Sequence, residues 1–233
     1  MKLGDDILTI GLRLKAAADF VPSGCVAADI GTDHAYLPIA LVQSGRCPRA
    51  IAGDYNEGPC ASAARSVRGA NLTDKIDVRL GSGLAILAPN EADVAVFCGM
   101  GGSLIKQLLT DSPQIVQSLK GLILQPQQSY ASLRRYLYEI GWHIADESLV
   151  KEDGRLYQII YAVPGTAAMP AEIELTVGPV LNKKRPALFS ELVEAFLAKA
   201  RRSLRSMEKS PQAISSDKYT QLKRHAAQLE ALL

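Results

Sequence analysis

Short apolar runs alternate with longer amphipathic segments over the first two thirds of the chain. Five runs bounded by turn residues indicate buried strands: residues 25–30, 50–54, 76–80, 93–98 and 121–124. The segments between them have helical length, and one more precedes the first strand: residues 7–20, 35–44, 58–69, 102–110 and 129–140. Because strand and helix alternate strictly, we expect right-handed crossovers and a parallel sheet covered by helices on both faces.

The last two apolar runs of this region have a different connection. Residues 142–150 and 157–163 are separated by a polar stretch that contains Asp153-Gly154, a dipeptide typical of tight hairpin turns. We therefore expect an antiparallel hairpin after the parallel strands. This α/β arrangement resembles the Rossmann-like sheet of class I methyltransferases, although a fold pattern alone does not fix a function.

The final third of the chain has a helical pattern. Apolar residues recur at steps of three or four from Phe189 to Met207, and after Pro211 the same spacing resumes from Tyr219 to Leu229. Two helices packed as an antiparallel coiled-coil hairpin are expected. A small-residue stretch with two prolines separates the two patterns. We therefore expect a Rossmann-like methyltransferase domain at 1–164 and a helical domain at 165–233.

Composition and charge narrow the class of protein. The 233 residues are 48% apolar and 21% charged, which is enough for a folded core. Residues 1–164 hold 15 basic and 17 acidic residues, whereas residues 165–233 hold 11 and 7, so the tail is basic. The four cysteines form no CxxC pair and no apolar run reaches membrane-spanning length, so we expect no metal site and no membrane segment. A cytoplasmic protein, with a monomer favoured, fits these features.

Candidate chemistry lies at the strand ends, because ligands of open parallel sheets bind beyond the carboxyl ends of the strands. The first strand runs into Asp29-Ile30-Gly31-Thr32-Asp33, which begins like a nucleotide-binding loop. Asp33 stands where the GxGxxG pattern has its second glycine, and two carboxylates would repel a pyrophosphate. They would attract an ammonium and a sulfonium, which favours S-adenosyl-L-methionine as the cofactor. The alternative is a turn capped by aspartates.

The next three strand ends continue this set. Asp54 ends the second strand, where a carboxylate can accept hydrogen bonds from both ribose hydroxyls. Glycine-rich loops follow the third and fourth strands, and they leave open backbone for an adenine ring and for the methyl acceptor: Gly81-Ser82-Gly83 and Gly99-Met100-Gly101-Gly102. Each feature is weak alone, but their order along the chain indicates a cofactor site.

Several short motifs closely resemble those of the bacterial tRNA adenine-N1-methyltransferases that modify adenine 22. They are ADIGTDHAYLP (28–38), GDYNEGP (53–59), RLGSGL (79–84), GMGG (99–102), LILQP (122–126), LYQI (156–159) and GPVL (178–181). The resemblance runs from about residue 10 into the tail, and DHAYLP followed by GMGG is its most specific part. It implies a Rossmann-like catalytic domain, S-adenosyl-L-methionine, and a C-terminal helical coiled coil that helps to hold tRNA.

The resemblance also implies roles for single positions. The cofactor loop, the ribose acid and the loop beside the transferred methyl group correspond to Asp29, Gly31, Asp33, His34, Asp54, Gly99, Met100, Gly101 and Gly102. Tyr36 corresponds to the family tyrosine that faces the acceptor pocket. Three positions depart from the family pattern: Ser82, Cys98 and Gln127. Ser82 stands where an acidic or amide side chain would contact the adenine amino group.

The expected reaction is an in-line transfer of the methyl group to N1 of adenine, so catalysis depends on positioning and electrostatics. The methylated base is cationic, and we expect oxygen acceptors around it from Asp33, Tyr36, Gln125 and the Gly99 carbonyl, with Asp33 and Tyr36 as the catalytic pair. N1 has a free lone pair and needs no base, so His34 is expected to order the cofactor loop. Two alternatives remain: a methyltransferase for a small molecule or a protein, and a binding module with a degenerate cofactor site.

Cations in the tail suggest how a nucleic acid is held. Lys199, Arg202 and Arg205 recur at helical spacing, away from the apolar stripe. We expect them to contact tRNA phosphates, because the slightly acidic body would repel a polyanion. The alternative is an ordinary solvated helix face.

Overall fold

The computed structural model describes residues 10–233, so Ile7, in the expected first helix, lies outside the described residues. The chain divides into two compact units, Met1–Ala168 and Met169–Leu233. We call them the sheet unit and the helical unit. No helix within residues 10–233 is long and apolar enough to cross a membrane.

A seven-stranded sheet organises the sheet unit. Its strands are β1 (Ala27–Ile30), β2 (Ala50–Asp54), β3 (Ile76–Leu80), β4 (Val94–Met100), β5 (Gly121–Pro126), β6 (Trp142–Glu152) and β7 (Arg155–Pro164). They lie in the order β3-β2-β1-β4-β5-β7-β6. Strands β1 to β5 are parallel, and β7 pairs antiparallel with both β5 and β6. The expected α/β class and its Rossmann-like methyltransferase sheet are confirmed.

Between residues 10 and 168, six α-helices accompany this sheet. They are α1 (Leu12–Phe20), α2 (Tyr36–Gln43), α3 (Glu57–Gly69), α4 (Gly102–Thr110), α5 (Pro113–Ser118) and α6 (Tyr130–Glu139). Strands β1, β2 and β5 are buried at every position, as expected for apolar runs covered on both faces. Because β1 lies between β2 and β4, the strand order reverses at β1 and a crevice opens at its carboxyl end.

The β6–β7 hairpin turns at Asp153 and Gly154. Both residues have positive φ, +48° and +73°, as a type I′ turn requires. Arg134 of α6 fastens the helix to this hairpin: its Nε donates to Glu147 Oε1 at 2.8 Å and its Nη2 to Gln158 Oε1 at 2.7 Å. All three side chains are buried. Removing one ionic partner would cost about 3–5 kcal/mol, because the other charge would remain buried.

Five helices form the helical unit. They are α7 (Glu172–Val177), α8 (Pro179–Lys184), α9 (Phe189–Met207), α10 (Pro211–Ile214) and α11 (Asp217–Glu230). Helices α9 and α11 pack antiparallel: the Tyr219 hydroxyl donates to Glu208 Oε1 at 3.0 Å, and Arg201 pairs with Glu230 at the other end of α11. The two long helices were expected from the sequence, whereas the three short ones were not. The buried face of α9 is also wider than the expected stripe, since it includes Leu192 and Leu197.

Candidate functional site

Two cavities lie at the carboxyl edge of the sheet and share Gly31. The polar cavity has a volume of about 470 Å³. Its lining residues carry most of the charge of the site: Arg13, Asp29, Thr32, Asp33, His34, Tyr36, Cys98, Gly99 and Gln127. The glycine cavity has a volume of about 440 Å³. Its lining is mainly backbone and apolar side chains around one acid: Gly53, Asp54, Tyr55, Gly81, Ser82, Gly83, Met100, Leu104 and Leu108.

The loop between β1 and α2 forms the boundary between the cavities. Gly31 and Thr32 donate their N–H groups to the Gly53 carbonyl at 2.8 and 2.9 Å, which ties the loop to β2. Gly31 has φ +77°, which is strained for any residue with a side chain, and a Cβ there would lie 2.2 Å from Met100 Cε, so the methionine would also have to move. Asp33 has φ +54°. It therefore adopts the left-handed conformation of the glycine that it replaces, which Asp tolerates better than most residues.

Asp29 is the buried acid of the polar cavity. Its carboxyl is 5% exposed and accepts a hydrogen bond from the Thr32 hydroxyl at 2.6 Å. Burial raises the pKa of this carboxyl to about 6, and the Thr32 hydrogen bond opposes the rise. The negative charge of Asp54 raises the pKa further, whereas Arg13 lowers it. A carboxylate held in this way gains from a cationic ligand, because burial has already removed part of its water.

Asp54 is fixed by the backbone at the end of β2. Its Oδ1 accepts from Asn56 N at 2.9 Å, and its Oδ2 accepts from Asp33 N at 3.3 Å. Each carboxylate oxygen has a second lone pair, so Asp54 can still accept two further hydrogen bonds in the glycine cavity. This fits a diol such as a ribose.

The loop after β3 supplies the wall of the glycine cavity. Gly81, Ser82 and Gly83 all line it, and Gly83 has φ +54°. A Cβ on Gly81 would lie 2.7 Å from Ile86 Cγ2, so this backbone is packed from behind. Leu104 and Leu108 of α4 lie on the same cavity, and the apolar lining suits a flat ring such as adenine.

An aromatic pair lies beside the polar cavity. The rings of His34 and Tyr36 stack with centroids 5.2 Å apart and planes 16° apart. His34 Nε2 lies 3.6 Å from Asp33 Oδ1, and Tyr36 is 44% exposed. The expected site residues Asp33, His34 and Tyr36 are therefore brought together, and the pair offers an exposed surface on which a base could stack.

The glycine loop after β4 divides into two parts. Gly99 lines the polar cavity with φ +77°, and Met100 lines the glycine cavity. Gly101 and Gly102, expected to contact a cofactor, line neither of these cavities. Gly102 N donates to the Gln128 carbonyl at 3.0 Å, and a Cβ on Gly102 would lie 2.6 Å from that oxygen. Their small size serves close packing of α4 against the β5–α6 loop, and their contact with a cofactor stays a prediction.

Gln125 also differs from its expected role. Its side chain is 0% exposed, and its Oε1 accepts from Gly99 N at 2.9 Å and from Arg13 Nη1 at 3.0 Å. Its Nε2 donates to the Pro126 carbonyl at 3.1 Å. The side chain thus has no surface for a substrate base, and the expectation of direct contact is wrong. Gln125 instead holds the Gly99 backbone in place.

Arg13 was missed by the sequence analysis. It lies in α1 and lines the polar cavity, with its guanidinium bound to Gln125 and its Nε 3.9 Å from Glu152 Oε2. In the sequence Arg13 is one of two cations in a helix that is otherwise mostly apolar, so no pattern singles it out. Gln127, which was noted only as a departure from the family pattern, lines the same cavity.

The cations expected to bind tRNA lie apart from these cavities in sequence. Lys199, Arg202 and Arg205 are all exposed on α9 of the helical unit. Within residues 10–233, no group of three or more His, Cys, Asp or Glu side chains could hold a metal ion.

Comparisons with known proteins show which family this chain belongs to. A methyltransferase-domain family matches residues 10–160. The tRNA (adenine(22)-N(1))-methyltransferase of Bacillus subtilis is 36% identical over 187 residues, which cover 78% of this chain and 79% of the relative. The solved structure of the B. subtilis m1A22 tRNA methyltransferase TrmK has a TM-score of 0.85 and 32% identity, and the match covers 97% of both chains. The structure of M. capricolum TrmK with S-adenosyl-homocysteine has a TM-score of 0.82 and 27% identity, and the match covers 95% of this chain and 96% of that one. This chain belongs to the tRNA (adenine(22)-N(1))-methyltransferase family.

Proposed function

We propose that this protein transfers a methyl group from S-adenosyl-L-methionine to N1 of adenine 22 in tRNA. The observation that carries the proposal is the meeting of two cavities at Gly31, with Asp29 in one and Asp54 in the other. The names of the relatives agree with it: the B. subtilis protein is a tRNA (adenine(22)-N(1))-methyltransferase, and M. capricolum TrmK was solved with S-adenosyl-homocysteine.

The residues of both cavities fit this cofactor. Asp54 would accept hydrogen bonds from the two ribose hydroxyls. The adenine ring would bind in the glycine cavity, between the Gly81–Gly83 backbone and the leucines of α4. In the polar cavity, the Asp29 carboxylate would accept a hydrogen bond from the ammonium group at the amino-acid end of the cofactor. Gly31 has no side chain, so its backbone is accessible where the ligand would cross from one cavity to the other. A Cβ at this position would contact Met100.

The chemistry needs positioning more than proton transfer. When bound, the cofactor supplies a methyl group on a positively charged sulfur. N1 of adenine attacks with its own lone pair, so the protein needs no base, and His34 would hold Asp33 and Tyr36 in place. The base becomes cationic, and the Asp33 carboxylate and the Gly99 carbonyl would stabilise that charge beside the polar cavity.

The target base has to leave its stacked position, because N1 lies on the pairing edge. The exposed Tyr36 ring, supported from behind by His34, would receive the base by stacking. Asp33 and Tyr36 are therefore proposed as the catalytic residues. In this proposal Gln125 acts behind them, through Gly99.

The helical unit would supply the affinity for tRNA. Residues 165–233 carry 11 basic and 7 acidic side chains, whereas residues 1–164 carry 15 basic and 17 acidic ones. Lys199, Arg202 and Arg205 would contact phosphates. We further expect the protein to act in the cytoplasm, where its tRNA substrates are, and as a monomer, which light scattering with and without tRNA would test.

Nucleoside mass spectrometry tests the proposed reaction. The protein is incubated with methyl-labelled S-adenosyl-L-methionine and a tRNA transcript that has adenine at position 22. A matched transcript with guanine at that position is the control. We expect labelled 1-methyladenosine from the first transcript and none from the second. Label in both transcripts, in another nucleoside, or in free adenosine at an equal rate would contradict the proposal.

A further inference from the structure

Two glutamine side chains lie at the end of β5, and they differ in what they bind. The carboxamide of Gln125 is buried and makes three hydrogen bonds within the protein. The side chain of Gln127 is exposed, lines the polar cavity, and makes no hydrogen bond with any of residues 10–233. Its oxygen and its two N–H groups are therefore available to a ligand in that cavity.

The backbone of Gln127 is held at both of its polar groups. Its N–H donates to the Met100 carbonyl at 2.8 Å, and its carbonyl accepts a hydrogen bond from the Tyr130 hydroxyl at 3.2 Å. Pro126, directly before it, pairs with Met100 in the sheet. The side chain therefore starts from a fixed point, and a ligand that binds the carboxamide has only side-chain freedom to restrict.

The carboxamide lies beside the backbone of Gly99. Its Nε2 is 3.8 Å from the position that a Cβ on Gly99 would take. Among the described residues that line the polar cavity, Gln127 is the one with a carboxamide, and the lining also includes Asp33 and Tyr36, the proposed catalytic residues. The free carboxamide is thus in the cavity in which the target base is proposed to react.

Adenine presents a matching pair of groups when N1 faces the methyl donor. Its 6-amino group is a donor and its N7 is an acceptor, and they lie side by side on the ring edge next to N1. A carboxamide can accept from the amino group and donate to N7 at the same time. Guanine has acceptors at both positions, so one hydrogen bond would be replaced by repulsion between two oxygens. Methylation of N1 makes the amino group a stronger donor, so the contact strengthens as the base becomes cationic.

We propose that Gln127 recognises adenine through its 6-amino group and N7 while N1 is methylated. This inference rests on the proposed function, because the base is the one named there. It makes Gln127 a specificity residue for the acceptor. Asp33 and the Gly99 carbonyl act on the charge of the base, whereas Gln127 acts on its identity.

Two transcripts that differ at a single ring atom test this assignment. One carries adenine at position 22, and the other carries 7-deazaadenine, in which a C–H group replaces N7. Transfer of a labelled methyl group is measured for both at subsaturating tRNA. We expect the unaltered protein to prefer adenine about fivefold, within the range of one net hydrogen bond. In Gln127→Met, which keeps the length of the side chain without its polar groups, this preference should be lost, and the rate on adenine should fall about tenfold to hundredfold.

Gln128→Met is the matched control, because Gln128 is also exposed but lines neither of these cavities. It should keep both the preference and the rate of the unaltered protein. The Kd for S-adenosylhomocysteine should be unchanged in both variants. The same preference for adenine in Gln127→Met as in the unaltered protein, or a raised Kd in that variant, would overturn the proposal.

The unaltered protein keeps the test decisive if Gln127→Met does not fold. Replacement of N7 by carbon makes N1 more basic, so a preference for adenine does not come from the reactivity of the base. Equal or faster methylation of the 7-deazaadenine transcript would overturn the assignment of Gln127 while leaving the proposed function intact. Absence of methyl transfer to the adenine transcript would overturn the proposed function itself.

Discussion

The sheet unit and the helical unit use charge in different ways. In the sheet unit two acids of the site are buried and held by hydrogen-bond donors: Asp29 by the Thr32 hydroxyl, and Asp54 by two backbone N–H groups. In the helical unit the cations Lys199, Arg202 and Arg205 are exposed along one helix. Fixed charges suit a small ligand with one shape, whereas exposed cations suit a polyanion that offers many equivalent phosphates. The comparison predicts that changes in the two units affect different measurements.

Removing residues 169–233 should have the largest effect. We expect methylation of tRNA at subsaturating concentration to fall about a thousandfold, since several phosphate contacts are lost together. Affinity for S-adenosylhomocysteine should not change, because both cavities are lined by residues of the sheet unit. Calorimetry and unfolding of the truncated protein are the controls. Methylation by the truncated protein at the full-length rate would remove the helical unit from the mechanism.

The substitution Asp54→Ala should have the next largest effect, and it should weaken cofactor binding alone. Loss of two charge-assisted hydrogen bonds to the ribose should raise the Kd for S-adenosylhomocysteine about a hundredfold. Affinity for tRNA, measured without cofactor, should stay the same. Asp77→Ala, an exposed acid on β3, is the control. An unchanged Kd in Asp54→Ala would rule out the ribose assignment.

Tyr36→Ala tests the acceptor side of the same unit. We expect turnover on tRNA to fall about thirtyfold, within the range for stacking of one base on an aromatic ring. The Kd for S-adenosylhomocysteine should not change. Tyr36→Phe keeps the ring and should retain most of the activity, which separates stacking from hydrogen bonding by the hydroxyl. A parallel loss of cofactor affinity in Tyr36→Ala would show that the tyrosine serves the cofactor instead.

Asp29→Asn should stabilise the ligand-free protein. The pKa of Asp29 in the folded protein is about 6, above the ordinary 3.8, so its ionised form destabilises the fold at neutral pH. We expect a gain of about 1–2 kcal/mol in the free energy of unfolding at pH 7, which shrinks as the pH falls from 6 towards 4. Chemical denaturation at several pH values measures it, and affinity for S-adenosylhomocysteine should fall in the same variant. A gain that does not depend on pH would contradict this origin.

Substitutions of single cations in the helical unit should have the smallest effect. Arg202→Gln and Arg205→Gln should each weaken tRNA binding only a few-fold, and each should reduce the slope of log affinity against log salt by about one unit. The modified adenine should remain the same. Arg201→Gln is a comparison on the same helix, since Arg201 already pairs with Glu230. A salt slope unchanged by both substitutions would place the phosphate contacts elsewhere.

The sequence was most informative where an apolar run ends in a polar residue. Asp29 and Asp54 follow buried runs, and parallel strands bring such ends to one edge, so both could be placed before any coordinates. The same rule misled for Gln125: it also ends a buried run, but its neighbour Arg13 comes from α1, and no local pattern shows that contact. The glycines of the loop after β4 illustrate a second limit. Gly99 lines a cavity and Gly102 packs against the Gln128 carbonyl, although the two look alike in the sequence.

The short helices and the order of the last two strands could not be predicted from the sequence either. Helices α7 and α8 have six residues each, too few for a helical period to be recognised. The Asp153-Gly154 turn predicted that β6 and β7 pair, but a turn does not say which of the two strands lies next to β5. That choice depends on packing of the whole sheet.

The position of β7 has a consequence for synthesis of the chain on the ribosome. β6 leaves the ribosome first, yet it has no place on β5, because β7 lies between them. Until residue 164 has emerged, the edge of β5 has no partner from this hairpin, and β6 has no complete strand partner. An unpaired edge next to a fully buried strand invites pairing with another nascent chain. The two-residue turn shortens this interval, since β7 begins three residues after β6 ends and can enter the sheet with β6 already attached.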